Sequence, residues 1–232
     1  ISLRISPPHT KDDRNDDSQI DINNIYSLNR LTDNDTVEEG FSLTYGSEYL
    51  IKQKNTLKDL FNFKFANNLR LSESDDLPGR NQMGNKTSNF FSEIMFSPND
   101  LIKTKYSASI KNNLSDINYE NLITELNIKN LFLSFDYVNE NNSIYENSYL
   151  QNTSKYLFDN FNSISFSTRK NKSTKLTEYY NFIYQYKNDC LAASMEYNKD
   201  YYSDRELKPH ESFLIKLTII PFGETTGPNL KR

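Results

Sequence analysis

The chain has 232 residues, of which 36% are hydrophobic and 13% aromatic, and it carries a formal charge of −4. With 16 Tyr and 15 Phe it holds too many rings for a disordered chain, and no run approaches the roughly 18 consecutive apolar residues that a spanning helix needs. An acidic balance without a concentrated basic face excludes a nucleic-acid binder. A barrel passes both tests, because its strands offer apolar side chains to lipid only at alternate positions and so read as polar on average.

Taken in chain order, the dominant period is two. Strands are expected at roughly 1 to 7, 18 to 26, 38 to 52, 56 to 69, 89 to 98, 101 to 112, 116 to 127, 130 to 139, 149 to 158, 161 to 170, 174 to 187, 189 to 203 and 211 to 222. Phe61, Phe63 and Phe65 alternate with Asn62 and Lys64, and Leu131, Leu133, Phe135 and Tyr137 with Ser134 and Asp136. Further on, Tyr180, Phe182, Tyr184 and Tyr186 alternate with Asn181 and Gln185, and Leu191, Ala193, Met195 and Tyr197 with Ser194, Glu196 and Asn198. The last run sets Phe213, Ile215, Leu217 and Ile219 opposite Lys216 and Thr218, with Pro221 near its end. Helical spacing fits none of these runs.

Connections alternate in length. Short turns are expected at Gln53-Lys54-Asn55, Pro98-Asn99-Asp100, Ile128-Lys129, Asp159-Asn160 and Lys187-Asn188-Asp189. Long loops are expected near 27 to 37, 70 to 88, 139 to 148 and 203 to 210, with shorter outer turns near 113 and 171. Outer-membrane barrels segregate loop length in this way, short on the periplasmic side and long outside. The fold class is therefore all-β, an antiparallel transmembrane β-barrel, in a single domain with no internal repeat. The chain begins at Ile1 without the order of a signal peptide, so it is read as a fragment or mature portion.

Chemistry-bearing residues are sparse. His9 and His210 lie in expected loops without a nucleophile motif, and no phosphate cradle or paired-cysteine metal site is present, so neither enzyme activity nor a cofactor is expected. Asp12, Asp13, Asp16, Asp17, Asp33 and Asp35 lack the spacing of a calcium loop and read as solvated charge, so no metal is expected. Cys190 has no intrachain partner; it is either free or paired with a cysteine outside this chain. Two readings of the pattern itself are a porin or receptor barrel passing solutes and a secreted β-sandwich binding module.

One ordered set is more specific. Asn15, Asp17 and Ser18, then Asn24-Ile25-Tyr26, Asn29-Arg30, Asp33, Glu38-Glu39-Gly40 and Tyr45-Gly46 resemble a segment of the LptD family, the outer-membrane barrel that inserts lipopolysaccharide into the outer leaflet. Ser97-Pro98-Asn99-Asp100 resembles the family's short turn, Asp189-Cys190-Leu191 with Glu196-Tyr197 its cysteine-bearing strand, and Ser212 to Gly223 its closing strand. Relatives often carry two adjacent cysteines where this sequence has Asp189-Cys190.

The resemblance implies that residues 1–232 form the C-terminal half of a large barrel whose N-terminal jellyroll and first strands lie outside this chain. It implies an LptE-like lipoprotein plug, a periplasmic LptA-like bridge reached through the missing domain, the barrel-insertion machinery, lipopolysaccharide and outer-membrane lipid as partners. It also implies a disulfide from Cys190 to a cysteine elsewhere. Finally, it implies a lateral gate at the closing strand, Phe213, Ile215, Leu217, Ile219 and Pro221, where a proline without a backbone donor weakens pairing.

Overall fold

The computed structural model describes residues 1–7, 19–28, 30 and 31, 38–141, 146–201, 209–219, 223–226, and 230 and 231. Among them, regular structure is entirely β. The strands are β1 (Ser2–Ser6), β2 (Gly40–Lys52), β3 (Asp59–Arg70), β4 (Phe90–Phe96), β5 (Ile102–Ile110), β6 (Ile117–Ile128), β7 (Leu131–Asn141), β8 (Glu146–Leu157), β9 (Asn162–Asn171), β10 (Thr177–Lys187), β11 (Leu191–Asp200), β12 (His210–Ile219), β13 (Gly223–Thr226) and β14 (Leu230–Lys231). Hydrogen-bonded neighbours follow chain order from β1 to β13, and β14 pairs with β12. Connections at 53–58, 97–101, 129–130, 158–161 and 188–190 fall near the expected short turns; on the other side 7–39, 71–89 and 201–209 are long, while 111–116, 142–145 and 172–176 are no longer than 53–58.

By contact the chain divides into two compact units: residues 1–99, 104–122 and 139–146, and residues 100–103, 123–138 and 147–232. In the second unit, register explains the period-two pattern. Phe182 pairs with Phe166 and Tyr197, and Tyr197 with Phe213. One step along, Tyr184 pairs with Ile164 and Met195, and Met195 with Ile215. The two rows lie on one face because side chains two apart share it. Phe166, Phe182, Tyr184, Met195, Tyr197 and Ile215 are all exposed. The other face carries the row Ser167, Asn181, Asn198 and Ser212. There Asn181 hydrogen-bonds Asn198, and Lys216 pairs with Glu196 at 3.1 Å. A soluble sheet buries its apolar face; this one presents it outward and keeps hydroxyls, amides and ion pairs on the other.

The first unit shows the same division. Leu3, Ile5, Phe41, Tyr49, Ile51, Ile94 and Phe96 stand exposed on one face of β1 to β4. The opposite face is polar and partly covered. The strand expected over 18 to 26 does not form: residues 19–21 are irregular and 22–26 turn, while residue 18 lies outside the described residues. Asp21 explains the difference: its carboxylate accepts the amides of Asn23 at 2.7 Å and Asn24 at 3.1 Å, closing an Asx turn before any ladder forms. Ile20, Ile22 and Ile25 then turn inward and pack with Ala66, Met83 and Phe91, forming the one fully apolar cluster among the described residues.

Three further expectations shift. The loop placed at 139 to 148 shrinks to 142–145, because β7 runs on through Asn139, Glu140 and Asn141. Two of these polar side chains find partners without interrupting pairing: Asn139 donates to Glu120 at 3.2 Å, and Glu140 pairs with Arg80. His210, expected in a loop, opens β12 by pairing with Asp200 of β11. The last long strand ends at Ile219, and the chain returns along its edge as β13 and β14.

A buried arginine and glutamate cluster on the polar face

Register builds this site. Arg4 of β1 pairs with Ser42 of β2, and Ser42 with Arg70 of β3, so the two arginines flank one residue of β2 on the polar face. Glu38, two residues before β2, places its carboxylate between them. Arg4 donates to Oε2 at 2.8 Å and Arg70 to Oε1 at 2.7 Å. Arg30, from the turn segment, completes the set with Nε to Oε2 at 2.9 Å and a terminal nitrogen at 2.6 Å from the same oxygen. Glu38 and Arg30 are each 3% exposed, Arg70 6% and Arg4 9%. Burial lowers the Arg30 guanidinium from its ordinary value, Glu38 pulls it back, and the other two arginines add to the lowering.

The same guanidinium reaches further. It donates to the carbonyl of Ile25 at 3.0 Å, and lies 3.4 Å from both Thr44 Oγ1 and Asn68 Oδ1, which are themselves linked at 3.0 Å. Arg4 also donates to the carbonyl of Ser27. The turn segment is thus bolted to three strands through charge-assisted bonds, in addition to the packing of its isoleucines.

The next two residues serve the same junction. The carbonyl of Glu39 accepts from Arg70 at 2.6 Å, and its carboxylate accepts from Ser74 at 2.7 Å, tying the 71–89 loop to the cluster. Gly40 has φ of +84°, and a Cβ there would lie 2.9 Å from the Arg70 guanidinium, so glycine answers both demands. Nearby, Gly46 lets Tyr26 lie against β2: an added Cβ would meet Tyr26 Oη at 2.3 Å and the Phe65 carbonyl at 2.1 Å. Partial burial pushes the Tyr26 phenol up.

Of the residues singled out in sequence, Asn24, Arg30, Glu39 and Gly40 therefore meet in one region, Asn24 Oδ1 accepting the Asp21 amide at 2.9 Å. Asn15, Asp17, Ser18, Asn29 and Asp33 lie outside the described residues, as do His9, Pro221 and the remaining aspartates of the acidic set. Cys190 is exposed in the turn before β11, its amide donating to Asn188 Oδ1 at 2.9 Å. Ile215, Leu217 and Ile219 of β12 are exposed and Phe213 half-buried. Their strand's second edge pairs with β13 over Lys216 to Ile219 and with β14 at Ser212 and Phe213.

Arg4, Arg70 and the central role of Glu38 escaped sequence reasoning. Their signal is one of parity: Arg4 stands between exposed Leu3 and Ile5, and Arg70 closes the polar side of β3, so each is a long cation pointing to the face away from lipid.

An all-antiparallel sheet with apolar rows on one face, polar rows on the other and a loop segment fastened to the polar side is the architecture of an outer-membrane β-barrel. Residues 7–172 match the family model LptD, LPS transport system D, and the chain belongs to that family. No curated protein matches it. The family is one of lipopolysaccharide transport and assembly and is not an enzyme family.

Proposed function

We propose that the chain forms wall strands of a lipopolysaccharide-inserting barrel in the outer membrane of a Gram-negative bacterium, with an LptE-like lipoprotein against the polar face and an LptA-like bridge feeding it from the periplasm. The observation that carries this is the two-faced sheet, whose aligned aromatic and aliphatic rows suit acyl chains while the Ser and Asn row suits a hydrated interior. Membership of the family adds lipopolysaccharide as cargo. The gate is β12, whose second edge is held, among the described residues, by the short β13 and β14; exchanging those pairs for another strand's costs little, because few backbone bonds must break. Cys190 on its exposed turn takes a disulfide partner from elsewhere in the full-length protein.

The test is depletion of the full-length protein followed by labelling of surface lipopolysaccharide with an impermeant reagent. Loss of surface label, with lipopolysaccharide accumulating behind the outer membrane, is the expected result. Unchanged surface lipopolysaccharide with altered solute uptake would move the function to a porin or receptor. For the gate, quantitative crosslinking of β12 to its closing partner should stop export, and normal export would remove that part of the reading.

A further inference from the structure

Charge is unevenly placed in the second unit. Residues 169–178, which span the end of β9, the 172–176 turn and the start of β10, carry Arg169, Lys170, Lys172 and Lys175 against the carboxylate of Glu178. Arg169 takes that carboxylate and lies 5.0 Å from the Tyr149 ring and 5.9 Å from the Tyr179 ring. Lys172 stands 4.6 Å over the Tyr137 ring, a contact that leaves its charge uncompensated. Lys170, Lys172 and Lys175 are exposed, and among the described residues none of the three has a carboxylate partner. At the opposite end of the same strands, the 158–161 and 188–190 turns carry Asp159 and Asp189, with Lys187 beside them.

Register sets the depth of these cations. Beyond the apolar row of Phe166, Phe182, Tyr197 and Phe213, the next row on that face is Thr168, Tyr180, Lys199 and Glu211, where Lys199 pairs with Glu211 at 2.7 Å. Ionised groups thus enter the apolar face of β9 to β12 at this level. Tyr180 meets the Tyr201 ring edge-on here, with centroids 6.0 Å apart, and tyrosines gather where a bilayer gives way to water. Lys170 comes one row further on, paired with Thr177 and Leu150. It lies four residues past Phe166, or about 13 Å at roughly 3.3 Å per residue.

We propose that the β9–β10 hairpin is a docking surface for the phosphorylated headgroups of glycolipid in the leaflet that surrounds the barrel. This rests on the reading that the apolar face meets the outer membrane, with the 172–176 turn on its outer side. The setting selects the occupant. The cations continue a lipid-facing row, so the anions that meet them at this level are those tethered to acyl chains lying on the rows beneath. A phosphate offers several strong acceptor oxygens, and Lys170, Lys172 and Lys175 bring ammonium donors to it from one short stretch of chain. The hairpin lies two strands from β12, so it acts on resident lipid beside the wall and not on the molecule passing the gate.

The experiment uses the full-length protein with its native partners in phosphatidylcholine nanodiscs doped with lipid A, a glucosamine lipid, either carrying its phosphates or stripped of them. A photo-crosslinking side chain at position 174 reports contact. Adducts that saturate with the mole fraction of phosphorylated lipid, and few with the stripped lipid, are expected. A lysine near an anionic surface strengthens binding about fivefold, so K170Q/K172Q/K175Q should need at least roughly tenfold more lipid for half-maximal adduct. K170R/K172R/K175R should behave as the parent. Equal adducts from the two lipids, or a glutamine variant that crosslinks like the parent, would overturn the proposal. Displacement of the lipid by inorganic phosphate at matched ionic strength would overturn it too, by making the site one for the free ion. On intact cells, S173C should react with an impermeant maleimide; reaction only after the outer membrane is opened would overturn the outward placement. These readouts are independent of the surface-labelling test, so either result can fail while the other stands.

Discussion

Replacing Glu38 with glutamine keeps the shape of the side chain and removes its charge. Three buried guanidiniums then share one neutral oxygen, and the new amide points donors at donors. The bonds affected are those at 2.6 to 2.9 Å from Arg4, Arg30 and Arg70. Breaking a buried ion pair from one side costs roughly 3–5 kcal/mol, so about 4 kcal/mol is a fair value for E38Q. At about 1.4 kcal/mol per decade, this raises local opening of residues 19–31 by about three decades. Trypsin reads that opening directly, because Arg30 is 3% exposed and cleavage after it requires release of the segment. The exposed Lys54 and Lys58 in the 53–58 turn serve as internal standards, cut equally in both proteins. Adding R4M to E38Q should recover part of the protection, since one uncompensated cation is then gone. Cleavage after Arg30 within threefold of the parent protein would refute the view that Glu38 holds the segment by charge.

Other expectations follow from the same geometry. G46V should cost about 1–3 kcal/mol in denaturant unfolding, as overpacking does, because the new Cβ meets the Phe65 carbonyl and the Tyr26 hydroxyl; a loss below about 0.5 kcal/mol would contradict the contact. G40A should cost about 1–3 kcal/mol through its left-handed backbone at φ +84°, read by thermal unfolding in detergent. Bonds from Asn162 and Phe161 hold the Asp159 carboxyl below the usual carboxylate range. Its turn is therefore intact above the unfolded carboxyl's pKa and loosens as pH falls through the lower folded one. Exchange at Phe161 and Asn162 should rise relative to D159N only below about pH 4, and a rise at neutral pH would be wrong for this cause. Finally, Cys190 in oxidised full-length protein should resist maleimide until reduced; immediate labelling would remove the disulfide.

The strands were legible because lipid enforces alternation: a single polar side chain on the apolar face of β10 or β12 would be costly, so the pattern survives with little noise. Residues 18 to 26 misled for a specific reason. Ile20 and Ile22 alternate with polar neighbours as a strand would, while the Asp21 carboxylate reaching the amides of Asn23 and Asn24 is a three-dimensional fact that competes with any ladder. At the cluster, Arg30, Glu39 and Gly40 were picked out by likeness to a family, and Arg4 and Arg70 were not. Their meeting depends on register across three strands, which no local window contains.

The position of Glu38 has a consequence for how such a sheet is assembled. One residue of slippage in β1 or β3 would swing Arg4 or Arg70 onto the lipid side and leave the carboxylate without its counter-charges. A mispaired hairpin would then carry a stranded ion into the bilayer, while the correct one neutralises it. The ion cluster of Glu38 therefore favours the native alignment over any slip by an odd number of residues.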